Sequence, residues 1–344
     1  MLSVASPPGF THIPALDAHF LSTIQRPATS LSSLNRGDVL EIQGPPSSGK
    51  THLLYHLLVT CILPSSHLST NIGGWGKAAI ICDTDATFDI LRINQLLLSR
   101  LNHLLSFDSY ANPDSAQEIT KMSLEKLHIF RPMSSIQLAV TITHLPAYHA
   151  AHIPDTEIGL LAIDSISAFY WPDRFTVEQM RSAPPTAEPR KQAPNFASPL
   201  QHVLTALQSF RLSHSPVIAL INWGLIPLNE PSPVSTPTFY KQHLHPFPLP
   251  FAPNPNAPRT NVPMNHSFPT SSAPLPITHH ITIPSTTIPP FNPGISLEEA
   301  KAQEEQRRKE IVERGELVGI VRTPGSTKIG RFTFRIGDTH ISTS

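Results

Sequence analysis

Between residues 39 and 223 short apolar runs recur, and most are followed by a stretch whose apolar positions fall at helical spacing. VLEIQG (39–44), KAAIICD (77–83), LEKLHIFRP (124–132), the start of IGLLAIDSISAFY (158–170) and SPVIALINW (215–223) read as strands. Between them, THLLYHLLVTCIL (51–63) predicts an amphipathic to fully buried helix. TFDILRINQLLLSRLNHLL (87–105) predicts a helix with Phe88, Leu91, Gln95, Leu98 and Leu101 along one mixed face. Residues 134–151 and 198–213 also read as helical. Strand and helix in alternation predict an α/β fold, a mostly parallel sheet covered by helices on both faces.

After residue 225 the pattern changes. Eighteen of the 37 prolines fall between Pro227 and Pro293, where only Glu230, Lys241 and Arg259 carry formal charge. Proline removes a backbone donor and breaks regular structure, so 226–293 is expected to be a disordered insert in an exposed loop, dispensable for the core. Ordered sequence resumes in SLEEAKAQEEQRRKEIVERGE (296–316), a charged helix with Ser296 as its N-cap candidate. A solvated face explains its charge, and a DNA-contacting face around Arg307, Arg308 and Lys309 is the alternative. GELVGIVRTP and KIGRFTFRIG predict a terminal hairpin turning at Pro324-Gly325. The expected organisation is an N-terminal extension (1–30), a core (31–225), the insert (226–293), and a helix and hairpin (294–344) completing the core.

Charge narrows the function classes. Lys+Arg and Asp+Glu are each 25 in 344 residues, so no bulk basic field draws the chain to nucleic acid, although a local patch is compatible with it. Cys61 and Cys82 sit in apolar runs and are expected to be buried, reduced thiols. The first residues lack the pattern of a signal or transit peptide, and no run approaches the about 20 apolar residues of a membrane span. The expectation is a soluble protein of cytosol or nucleus. The histidines at 144, 149 and 152, at 243 and 245, and at 279 and 280 lack partners at zinc spacing and are expected at the surface.

GPPSSGKT (44–51) supplies the chemistry. It has the phosphate-loop spacing and lies between a predicted strand and a predicted helix, the context that motif requires. Gly44 and Gly49 allow the tight turn, the N–H groups of the loop around Ser47 and Ser48 face phosphate oxygens, and the helix N-terminus adds positive potential. Lys50 reaches the β and γ phosphates and the Thr51 hydroxyl ligates Mg²⁺. Pro45 and Pro46 remove two possible donors, and a loop kept only for shape is the alternative. Asp164, ending an apolar strand, is the expected second Mg²⁺ holder.

GDVLEIQGPPSSGKT, AIICDTDATFDILRI and LLAIDSISAFYW, in this order, resemble the RecA-type recombinases and, more closely, the eukaryotic recombinase paralogues that assist homologous recombination. The likeness covers roughly 30–225 and, less fully, 315–344. It implies an ATP- and Mg²⁺-binding nuclear subunit that works with other paralogue subunits on single-stranded or branched DNA, with no membrane partner. Active members carry Asp-Thr-Glu after the second strand, the Glu orienting water; the corresponding residue here is Asp85. The adenine-packing arginine corresponds to Arg92, and the Asn-Gln ending the fifth strand corresponds to Asn222 and Trp223. Asp85 and Asn222 are thus the candidate catalytic residues, with slow or absent hydrolysis expected. The 43 residues before the loop are expected to be too few for the family's helical DNA-binding domain, and filament formation by this chain alone is not expected. The 171–199 segment, with Trp171, Arg174, Phe175, Arg181, Arg190 and Lys191, is a candidate strand-contacting loop against a bland solvated one. A working DNA-dependent ATPase, a small-molecule kinase and an adaptor with a vestigial site are the rival readings.

Overall fold

The computed structural model describes residues 6–23, 32–68, 70–106, 114–182, 198–228, 238–247, 275–284 and 294–343. Its first elements are helix α1 (Pro14–Thr23), strand β1 (Val39–Gly44), helix α2 (Lys50–Ile62), a two-strand ribbon of β2 (Ser66–His67) and β3 (Thr70–Asn71), and strand β4 (Ala78–Asp83). Helices α3 (Ile90–Leu105) and α4 (Ser115–Leu124), strand β5 (Leu127–Phe130), helix α5 (Ser135–His152) and strand β6 (Ile158–Asp164) follow. Then come helices α6 (Tyr170–Ser182) and α7 (Pro199–His214), strands β7 (Val217–Trp223) and β8 (His279–Thr282), helix α8 (Leu297–Arg314), and strands β9 (Glu316–Arg322), β10 (Ile329–Ile336) and β11 (Ile341–Thr343).

The main sheet has the order β11-β10-β9-β8-β1-β7-β6-β4-β5. Strands β8, β1, β7, β6, β4 and β5 run parallel, and β9, β10 and β11 add antiparallel strands at one side. Every residue of β1, β4 and β6 is buried, which explains why their sequences are mostly apolar, β1 alone carrying Glu41 and Gln43 within the run. One face packs on a core that includes Leu53, Leu57, Leu97 and Ile119, from α2, α3 and α4. The other packs on Leu138, Ile142, Val203 and Leu207, from α5 and α7. This is the α/β architecture expected of a RecA-like core.

Several boundaries change. In α3 the buried positions are Ile93, Leu96, Leu97, Leu101 and Leu105, whereas Leu91 is 71% exposed and Gln95 faces solvent. The helix begins only at Ile90, where Asp89 caps the N–H groups of Leu91 and Arg92, so the packed stripe is rotated from the one counted from Phe88. Among the described residues of the N-terminal extension, Ile13, Leu16 and Phe20 are buried in the first core, and the Phe20 ring lies 4.2 Å from that of His279. The terminal hairpin is as expected, β9 and β10 pairing antiparallel with Gly325 at φ 82° in the turn. Ser296 caps α8 reciprocally, its Oγ accepting from Glu299 N at 3.2 Å while Glu299 Oε2 accepts from Ser296 N at 2.9 Å.

The largest correction concerns 226–293. A strand lies inside it: β8 inserts between β1 and β9, parallel to the first and antiparallel to the second. Leu275, Ile277, Ile281 and Ile283 are buried around it, as are Tyr240, Leu244 and Phe247 of the 238–247 segment. Proline forbids a central strand only where a ladder N–H is needed, and ITHHITI between Pro276 and Pro284 is a proline-free β-branched run. Residues 229–237, 248–274 and 285–293 lie outside the described residues. His279 and His280 are correspondingly buried rather than at the surface.

Candidate nucleotide-binding site

Strand β1 delivers the chain into the 44–51 loop, and α2 starts directly at Lys50. Gly49 stands at φ 90°, in the left-handed region, as the N-cap of α2. Gly44 needs its bareness for a different reason: a Cβ there would lie 2.3 Å from the carbonyl oxygen of Ile283 and 2.6 Å from Ser48 Oγ. Ser48 is buried beneath the loop, whereas Ser47 is exposed with φ 60°.

Lys50 is buried, and its Nζ donates to Pro45 O at 2.6 Å. Burial lowers its ammonium to about 8, opposed by the charges of Asp164 and Asp85. Thr51 Oγ1 donates to Asp164 Oδ2 at 2.8 Å, so the two expected Mg²⁺ holders meet across the sheet although 113 residues separate them. Burial raises the Asp164 carboxyl to about 6; Asp85 pushes the same way, while the Thr51 bond and Lys50 oppose. An anion-accepting helix terminus, a buried ammonium and a hydroxyl–carboxylate pair fit a metal-bound phosphate group.

Asp85 accepts from Ser165 Oγ at 3.2 Å. Desolvation and the neighbouring Asp83 raise its carboxyl, with the Ser165 bond and Lys50 opposing. The ends of β4 and β6 are laced together by Thr84, whose N–H reaches Asp164 O at 2.9 Å and whose Oγ1 reaches Ser165 O at 2.8 Å. Asp83 serves structure: Oδ1 accepts from Thr87 N and Phe88 N, and Oδ2 pairs with Arg131 Nε at 3.1 Å. Arg92 donates through Nη2 to Gly337 O at 2.6 Å and through Nη1 to Asp338 O, which ties α3 to the turn between β10 and β11.

Asn222 stands apart from this group. Its Nδ2 donates to Glu41 Oε1 at 2.7 Å and Gln242 Oε1 at 3.1 Å, and its Oδ1 accepts from Ser167 Oγ. Side chains alternate along β7, Ile221 facing the α2 side and Leu220 the α5–α7 side. Asn222 therefore shares the face of Leu220, and its amide is engaged by Glu41, Gln242 and Ser167 rather than placed for the catalytic role expected of it. Alternation places Trp223 on the loop side, paired in register with Gly44.

Glu41, His280 and Gln242 were missed in the sequence. Glu41 is a fully buried carboxylate in the middle of β1. Oε1 accepts from Asn222 and from Gln242 Nε2 at 2.8 Å, and Oε2 pairs with His280 Nδ1 at 2.8 Å. A charge inside the apolar run VLEIQG was the available signal, because a buried carboxylate requires partners. Burial alone raises the Glu41 carboxyl, but the charge and hydrogen bond of His280 and the amides of Asn222 and Gln242 outweigh it, and the net shift is downward. A carboxyl lowered by folding contributes stability above its ordinary value, and that contribution is lost as pH falls through the folded value. Stability is therefore expected to fall as pH drops below about 4.5, and Glu41→Gln is expected to flatten that slope in urea melts taken between pH 3 and 6.

The 171–199 segment begins as helix α6 rather than a loop. Trp171 and Phe175 are 57% and 62% exposed, and Arg174 lies 5.9 Å over the Trp171 ring while pairing with Glu178. Arg190 and Lys191 lie outside the described residues. Among the described residues no helix is long and apolar enough to cross a membrane.

No family model matches the chain. It is 38% identical over 138 residues to DNA repair protein XRCC2 of Mus musculus, an alignment covering 40% of this chain and 43% of that protein. It is 28% identical over 205 residues to the XRCC2 homolog of Arabidopsis thaliana, covering 54% of each. It is 27% identical over 149 residues to DNA repair protein RAD51 homolog 2 of Homo sapiens, covering 41% of this chain and 34% of that protein. The matches thus span about half the length, or less, of these curated relatives.

Proposed function

We propose, from its likeness to the DNA repair proteins XRCC2 and RAD51 homolog 2, that the chain is an ATP-binding subunit acting in homologous-recombination repair of DNA double-strand breaks. In this reading it works in the nucleus, in a hetero-oligomer with other recombinase-paralogue subunits, and assists the main recombinase on single-stranded or branched DNA through that complex. The observation that carries nucleotide binding is the 2.8 Å contact between Thr51 and Asp164 beside the buried Lys50. Thr51 and Asp164 would hold Mg²⁺, Lys50 and the loop N–H groups from Ser47 to Thr51 would hold the phosphates, and Arg92 would pack on the adenine. Bound Mg²⁺ neutralises phosphate charge.

Lys50→Ala is expected to weaken nucleotide affinity roughly 10- to 100-fold, the equivalent of losing one charged hydrogen bond worth about 1.5–3 kcal/mol. Titration with a fluorescent ATP analogue checks it, and equal affinity in mutant and wild type refutes the site. Affinity purification from nuclear extract tests the remainder. Recovery of other recombinase-like subunits supports the complex, and recovery of the chain alone removes it.

A further inference from the structure

We propose that two segments of the proline-rich stretch, 238–247 and 275–284, form a strap whose local ordering is energetically coupled to nucleotide binding at the 44–51 loop. Two contacts of Ile283 place the strap on the root of that loop, and Tyr240 reaches it through Gly224. Ile283 N–H donates to Gln43 O at 2.8 Å. The Ile283 carbonyl covers Gly44 so closely that a Cβ has no room there. Gly224 N–H donates to Gly44 O at 2.8 Å, and the Tyr240 ring lies where a Gly224 side chain would be. The loop's next residue, Pro45, supplies the carbonyl that receives Lys50 Nζ.

Glu41 is the latch. Three residues before Gly44, it holds both arms at once, Gln242 through Oε1 and His280 through Oε2. The same carboxylate holds Asn222, which reaches the turn after Asp164 through Ser167; that hydroxyl also receives Trp223 N–H at 2.9 Å. The second ring nitrogen of His280 meets Thr282 Oγ1 at 3.1 Å, which fixes the ring toward Glu41. One buried group thus bridges the strap, the strand feeding the phosphate loop and the turn that follows the metal-holding carboxylate. Local loosening at Ile283, just past the end of β8, and in the 238–247 arm would remove the wall behind Gly44 and leave a carboxylate buried with fewer partners, while β8 keeps its place in the sheet. Coupling between two sites is reciprocal, so whatever strap ordering does for nucleotide, nucleotide does for strap ordering.

The coupling rests on the nucleotide site proposed above, and hydrogen exchange on the full chain with a non-hydrolysable ATP analogue and Mg²⁺ tests it. Nucleotide is expected to slow exchange about tenfold more at the Ile283 and Lys241 amides than in β4, whose slowing reports only global stabilisation by ligand. Glu41→Gln is expected to speed exchange in the strap and to lower nucleotide affinity about tenfold, within the 5- to 150-fold range of coupled sites. If that variant does not fold, Gln242→Ala, which removes the strap's contacts to Glu41 and Asn222 and leaves β8 in place, is expected to move both readouts in the same direction. Nucleotide binding with strap and β4 slowed equally overturns the coupling and leaves the binding site standing. Unchanged affinity in a variant whose strap exchanges faster does the same. No nucleotide binding at all overturns both.

Discussion

Deleting residues 230–290 is expected to abolish cooperative folding. The deletion removes β8, a central strand paired on both sides, and with it the burial of Leu275, Ile277, Ile281 and Ile283. Full burial of such a side chain contributes about 1.5–3 kcal/mol. It also strips His280 and Gln242 from Glu41, and leaving a buried acceptor without its hydrogen-bond partners costs about 1–3 kcal/mol or more. Whole domains are stable by only about 5–15 kcal/mol, so these losses together exceed what the fold holds in reserve. A thermal melt followed by circular dichroism decides it. A soluble deletion protein with an intact cooperative transition would show that β8 is dispensable.

Turnover of ATP by the purified chain is expected to be at least 100-fold slower than that of an active recombinase, with or without single-stranded DNA. Asp85 stands where the resembling enzymes carry a glutamate, one methylene longer, and its carboxyl is engaged by Ser165. A displacement of about 1 Å at a reacting group costs roughly 100-fold. Trp223, level with Gly44 on the loop side of β7, replaces the glutamine expected there and offers only an indole donor. Positioning and electrostatics supply nearly all of the catalysis of phosphoryl transfer, so losing two positioning groups raises the barrier by several kcal/mol, about tenfold in rate for each 1.4 kcal/mol. Asp85→Glu combined with Trp223→Gln is expected to raise turnover. Asn222 needs no change, since it faces the Glu41 network. Wild-type turnover at recombinase rates, abolished by Lys50→Ala, would make the site a complete enzyme.

The residues that were legible in sequence and those that were not differ in the range of their interactions. Apolar runs determined β1, β4, β6 and β7, because strands covered on both faces are built mostly of apolar residues. The 44–51 loop was equally legible, since a phosphate cradle is built from consecutive residues and needs Gly, Lys and Thr at set spacing. Asp164 could be named from its place at a strand end, although only the folded sheet brings it to Thr51. What stayed hidden depended on partners distant in the chain. The four residues of β8 carry too little pattern to stand out from their proline-rich surroundings, and they form a strand only because β1 and β9 offer ladders on either side. The direction of Asn222 followed from strand alternation once the faces were known. Glu41 announced that a buried charge exists, but its partners at 222, 242 and 280 are joined to it by the fold alone, through a carboxylate that water cannot reach.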